Sequence, residues 1–124
     1  MANKPTFIQK KIETLPLQIH LVIPPEKPVM RGYITVDAVV RNRAALKDLN
    51  EQALGDEDYL RAIVTGIHGL SDPKKPDEAL EGESAFLEVL NGDNSAYLLN
   101  AIAEGYGTQY GEARQKNFRT SRSR

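Results

Sequence analysis

Near the start of the chain, apolar residues recur at every second position in two stretches. In "LPLQIHLVI", Leu17, Ile19, Leu21 and Ile23 alternate with Gln18 and His20. In "GYITVDAVV", Ile34, Val36, Ala38 and Val40 alternate with Tyr33, Thr35 and Asp37. A period of two belongs to a strand with one buried face, so together the stretches predict an antiparallel β-hairpin. Pro24, Pro25 and Pro28 have no N–H to give a ladder and fall in its connection. Ahead of it, "TFIQKKIET" predicts a third, edge strand whose lysines discourage further pairing.

From residue 42 the period lengthens to that of helices. "NRAALKDLNEQAL" has Asn42 as a cap and places Ala45, Leu46, Leu49 and Ala53 on one face, with Gly55 as the break. "DEDYLRAIVTGI" follows, with Asp56 as the expected cap, acids in the first turn, and a stripe of Leu60, Ile63, Val64 and Ile67. "GLSDPKKPDEALEGE" combines prolines, glycines and dense charge. It is expected to be a loop that only a partner orders. "SAFLEVLNG" predicts a short helix with Ser84 as cap and Gly92 as stop. The last helix begins in "DNSAYLLNAIAEGYG", with Leu98, Ala101, Ile102 and Tyr106 on one side. There, Gly105 and Gly107 are expected to fray or bend it, each costing about 1 kcal/mol relative to alanine.

Neither a small sheet nor these helices can hide its apolar face alone. The reading is therefore an α+β fold, an N-terminal antiparallel hairpin or three-stranded sheet packed on about four helices. At 124 residues this is one domain over 1–113, β-rich over 7–41 and helical over 42–113, with a charged loop at 71–83. Residues 114–124 form a basic tail expected to be flexible.

Charge is segregated along the chain, although the formal net charge is only −1. Residues 1–43 hold seven Lys/Arg against three Asp/Glu, and residues 44–113 hold four against fourteen. Residues 114–124 hold five basic residues and no acidic one. An acidic body between basic ends favours a homo-oligomer and allows head-to-tail contacts that build an open spiral. It argues against a general nucleic-acid binder, whose gripping domain is basic throughout.

Catalytic and ligand-binding patterns are not legible. The chain has no cysteine, so thiolate chemistry and disulfides are excluded, which suits a reducing cytoplasm. His20 and His68 are far apart and lack the companions of a metal site. His20 is expected on the polar side of its strand. His68, between two glycines at a helix end, is expected to cap carbonyls or pack at the edge of the core. The carboxylates cluster where helix dipoles and solubility account for them, and no serine sits in a nucleophile elbow. Gly105, Gly107 and Gly111 do not follow a strand, so they do not make a dinucleotide loop. The chain is thus expected to be non-enzymatic, with no cofactor and no metal. "MANKPTFIQKK" contains no apolar run of signal-peptide length, and no stretch approaches the roughly 20 apolar residues of a membrane span.

The order of features resembles the tail assembly chaperones of long-tailed bacteriophages. The resemblance covers most of the chain and rests on layout. Strands "LQIHLVI" and "GYITVDAVVRN" run into "AALKDL", followed by "DEDYLRAIVTGIHGLSD" and the charged break "PKKPDEALEGES". "AFLEVLNG" and then "AYLLNAIAEGYGTQYGEARQKN" complete it. Members often carry a tryptophan near "GIHGL"; this chain has none.

The resemblance implies a non-catalytic protein of the bacterial host cytoplasm. Such a protein coats the tape-measure protein, recruits tail-tube subunits and is absent from the finished virion. Tyr106, Tyr110, Arg114 and Lys116 are the expected partner-binding residues. The resemblance also implies a frameshift position at Gln115, Lys116 and Asn117, after which the basic ending has no selected role. Two other readings compete. One is a structural virion component such as a tail-terminator or connector subunit. The other is a small nucleic-acid binder acting through Arg114, Lys116, Arg119, Arg122 and Arg124, with steeply salt-dependent affinity.

Overall fold

The computed structural model describes residues 4–110. The two alternating stretches form β1 (Thr14–Ile23) and β2 (Met30–Val39), paired antiparallel with Leu17 opposite Val36 and Ile19 opposite Ile34. The chain then runs through α1 (Arg43–Glu51) and α2 (Asp56–Ile63) before β3 (Val64–His68). A two-stranded hairpin of β4 (Ser71–Asp72) and β5 (Lys75–Ala79) comes next, then α3 (Glu83–Asn91) and α4 (Ser95–Tyr110). The main sheet has the order β1-β2-β3, all antiparallel. This is the expected α+β fold, with four helices among the described residues.

The third strand is not the expected one. Residues 7–13 form no strand, and β2 takes β3 as its second neighbour. Val64, Thr65 and Ile67 are β-branched and fit a pleated surface, whereas "FIQKKI" lacks a period of two. The stripe Leu60, Ile63, Val64 and Ile67 is buried as predicted, but the chain turns from helix to strand between Ile63 and Val64. Ile67 lies opposite Val36 and Val64 opposite Ala38, and a register shift between Asp37 and Ala38 leaves Thr65 as a bulge.

The charged segment 71–83 is also corrected, since β4 and β5 pair within it. Asp72 accepts from the Lys74 N–H at 2.9 Å, an Asx-type turn, and the Leu80 N–H donates to the Leu70 carbonyl. Every residue of β5 is exposed, so no burial pattern announced the strand.

Of the expected caps, Asn42 accepts from the Ala45 N–H at 2.8 Å as predicted. Gly55 and Gly82 occupy the other two cap positions. Asp56 falls inside the first turn of α2, where its charge meets the helix dipole, and Ser84 falls inside α3. Gly92 ends α3 as expected.

Helix α4 does not end at its glycines; it continues through Gly105 and Gly107 to Tyr110. A Cβ at Gly105 would stand 2.6 Å from Ile19 Cδ1, so its absence lets the helix lie close against β1. The helices α2, α3 and α4 cover one face of the sheet. Leu60, Ile63, Val36, Val89 and Ile102 are all fully buried between the layers. Each such side chain contributes about 1.5–3 kcal/mol of apolar transfer.

Candidate functional site

Alternation along β1 and β2 sends one set of side chains to the core and the other outward. Gln18, His20 and Val22 of β1, and Tyr33, Thr35 and Asp37 of β2, form the outer face, with His68 of β3 beside them. Nothing in the described chain packs over this face: Tyr33 is 57% exposed and Val22 43%. The rings of His20 and Tyr33, directly opposite in register, have centroids 6.1 Å apart and are tilted by 47°. His20 is a surface residue, as expected.

His68 does not cap a helix. It ends β3 opposite Thr35, and its Nε2 lies 2.7 Å from Asp37 Oδ2. Gly66, opposite Asp37, makes room for the pair, because a Cβ there would meet that carboxylate oxygen at 2.6 Å. Both side chains are well exposed, so the pair lies on the open platform of the outer face.

The second feature is the edge of β1. The Val40 N–H donates to the Glu13 carbonyl, which makes residues 13 and 40 a hydrogen-bonded pair continuing the β1–β2 register. Odd residues of β1 therefore bond to β2, and even residues turn their N–H and C=O toward the open edge. Pro16 falls on the open side, where its missing N–H costs the sheet nothing. Between this edge and α4 runs an open groove of about 390 Å³ with Leu17, Ile19, Ala101 and Gly105 among its lining residues. Glu104 and Gln109 are on the helix side, Gln18 and His20 on the strand side.

The third feature is the segment leading into β1. Phe7 is 79% exposed, Ile8 74% and Ile12 48%, interspersed with Lys4, Lys10 and Lys11. Adjacent bulky apolar side chains left in water mark a contact surface more strongly than scattered ones do.

Of the residues expected to bind a partner, Tyr106 is the one whose side chain lies among the described residues. Tyr106 is only 2% exposed. Its hydroxyl donates to the Val39 carbonyl at 2.6 Å and accepts from Arg41 at 3.0 Å, so it is a core residue and not a contact surface. The helical spacing that put it with Leu98 and Ile102 is what buries it. Tyr110 is the last residue of α4, and Arg114, Gln115, Lys116 and Asn117 lie outside the described residues.

Elsewhere, Arg61 joins α2 to α3. It reaches Glu83 with two hydrogen bonds, Glu57 with one, and the Phe86 ring at 5.2 Å. The guanidinium hydrogen bond holds the Glu83 carboxyl below its ordinary range, and the two carboxylates raise the pKa of Arg61 further. Among the described residues, no group of three or more His, Asp or Glu side chains is placed to hold a metal ion. No helix among them is long and apolar enough to cross a membrane. Compared with known proteins, the chain matches no family model, no curated protein and no solved structure.

Proposed function

We propose that this chain is a non-catalytic binding protein of phage tail morphogenesis, a tail assembly chaperone. In the cytoplasm of the bacterial host it would keep the tape-measure protein soluble and recruit tail-tube subunits. The observation that carries the binding role is the uncovered outer sheet face, with Tyr33, His20 and Val22 in the open beside the polar Gln18, Thr35 and Asp37. Such a mixed surface suits the amphipathic face of a partner helix, whose apolar side meets the rings while its polar rim meets the amide and hydroxyl groups.

The assignment to tail assembly comes from the layout of the sequence.

The test is co-expression with the protein encoded immediately downstream, followed by pull-down and a solubility assay. The reading expects a long helical neighbour that is soluble only with this chain present, and Tyr33→Asp to reduce its capture. A neighbour that binds nothing and is soluble alone overturns the reading. Recovery of this chain at fixed copy number in purified particles would replace it with the virion-component reading.

A further inference from the structure

The exposed segment before β1 and the open edge of β1 belong to one continuous stretch, and their alternation relates them. In β1 the even residues turn their backbone groups to the open edge, while odd residues such as Leu17 and Ile19 point toward the helices. Extending β1 backward in the same pleat turns the even residues of the leading segment to that edge too. Phe7 then shares the face of Leu17 and Ile19. Ten residues, 4–13, reach about 33 Å when extended, the length of β1 itself.

We propose that two copies of this chain exchange these N-terminal segments as antiparallel strands, each added along the β1 edge of the other about a two-fold axis at Ile12. A second copy fits because the stretch is complementary to itself in this register. Ile12 faces Ile12 on the axis, Lys11 faces Glu13 of the partner subunit twice over, and Phe7 faces Leu17 of the partner subunit. Phe7 thereby enters the groove between β1 and α4, which Gly105 keeps open and which Glu104 makes acidic on the helix side. The segment that fills it is basic, with three lysines against one glutamate. Pro16 meets Ile8 and forgoes one ladder bond without disturbing β2. The contact is isologous and closes at two copies, unlike the open spiral that charge segregation suggests. It does not depend on the tape-measure reading.

The test uses the full chain, which has no cysteine of its own. Opposed residues in a hydrogen-bonded antiparallel pair have Cα atoms about 5.5 Å apart, within disulfide range. Ile12→Cys should therefore oxidise quantitatively to a covalent dimer at micromolar protein. Val29→Cys, at a position more exposed than Ile12 but far from the axis, should not. By sedimentation equilibrium the wild type should be a dimer. Phe7→Asp should weaken it about tenfold or more, without loss of fold because Phe7 is exposed. Lys11→Glu, which sets like charges opposite each other, should weaken it by about tenfold. Lys11→Glu combined with Glu13→Lys should restore it. A wild type that stays monomeric overturns the proposal, as do association indifferent to Phe7→Asp and a double variant as weak as Lys11→Glu alone.

Discussion

The Tyr106 hydroxyl sits 2.6 Å from the Val39 carbonyl, which binds the last described turns of α4 to the end of β2. Arg41 completes the junction, donating to that hydroxyl and to the Ala62 carbonyl at 2.6 Å. One phenol and one guanidinium thus tie together β2, α2 and α4. Tyr106→Phe keeps the ring in the core but removes the bond to Val39 and one acceptor of Arg41. It should destabilise the protein by about 1–2 kcal/mol in urea unfolding, with no change in secondary structure by circular dichroism.

Gly105 and Ile19 make a coupled pair. In the wild type, Gly105→Ala gains about 1 kcal/mol of helix propensity but drives its Cβ against Ile19 Cδ1, so the net change should be small or unfavourable. Ile19→Val removes that methyl at a cost of about 0.5–1.5 kcal/mol. In that background Gly105→Ala should stabilise. A double-mutant cycle of unfolding free energies should therefore show a favourable coupling of about 1 kcal/mol. Purely additive values would mean that helix and strand do not press on each other there.

Ala53, just past the end of α1, has φ +51°. An L-residue in the left-handed region is disfavoured by about 1–2 kcal/mol, and the side chain is exposed with no packing to lose. Ala53→Gly should raise stability by about 0.5–1 kcal/mol, after allowance for the greater freedom of glycine in the unfolded chain. Thermal unfolding would show this as a higher midpoint.

The link between α2 and α3 carries a pH signature. Hydrogen bonding from Arg61 lowers the folded-state pKa of Glu83, opposed in part by desolvation. Its contribution is therefore complete above the unfolded carboxylate value, about 4.3, and is lost as pH falls through the lower folded value. Carboxyl chemical shifts should show Glu83 titrating below the ordinary value of a glutamate side chain, and Arg61→Ala should raise it back toward that value. Because both groups are exposed, added salt should shrink the difference.

What the sequence made legible follows burial. Leu17 to Ile23 and Ile34 to Ala38 are buried on one side only, and their period of two appears directly in the residue order. Leu98, Ile102 and Tyr106 likewise gave the buried stripe of α4. β3 was hidden because Leu60, Ile63, Val64 and Ile67 satisfy a helical stripe equally well, and the change of geometry at Val64 leaves that count intact. The hairpin of β4 and β5 was hidden for the opposite reason: β5 is exposed on both sides and has no alternation to read. Gly105 looked like a break because the Ile19 methyl that calls for it lies 86 positions away in the chain. Of the candidate site, the outer face was legible strand by strand. The groove was not, since it forms where β1 meets a helix from the far end of the described chain.

The passage from α2 to β3 uses no linker: Ile63 closes the helix, Val64 opens the strand, and both are buried. Such a joint keeps the two elements in phase like the teeth of a gear. One residue added there would turn the helix by about 100° relative to the strand, or turn the strand's inner face outward. Variation in chain length is therefore tolerable in the exposed β4–β5 hairpin and the proline-rich connection at 24–29, while the 63/64 joint admits changes of side chain but not of count.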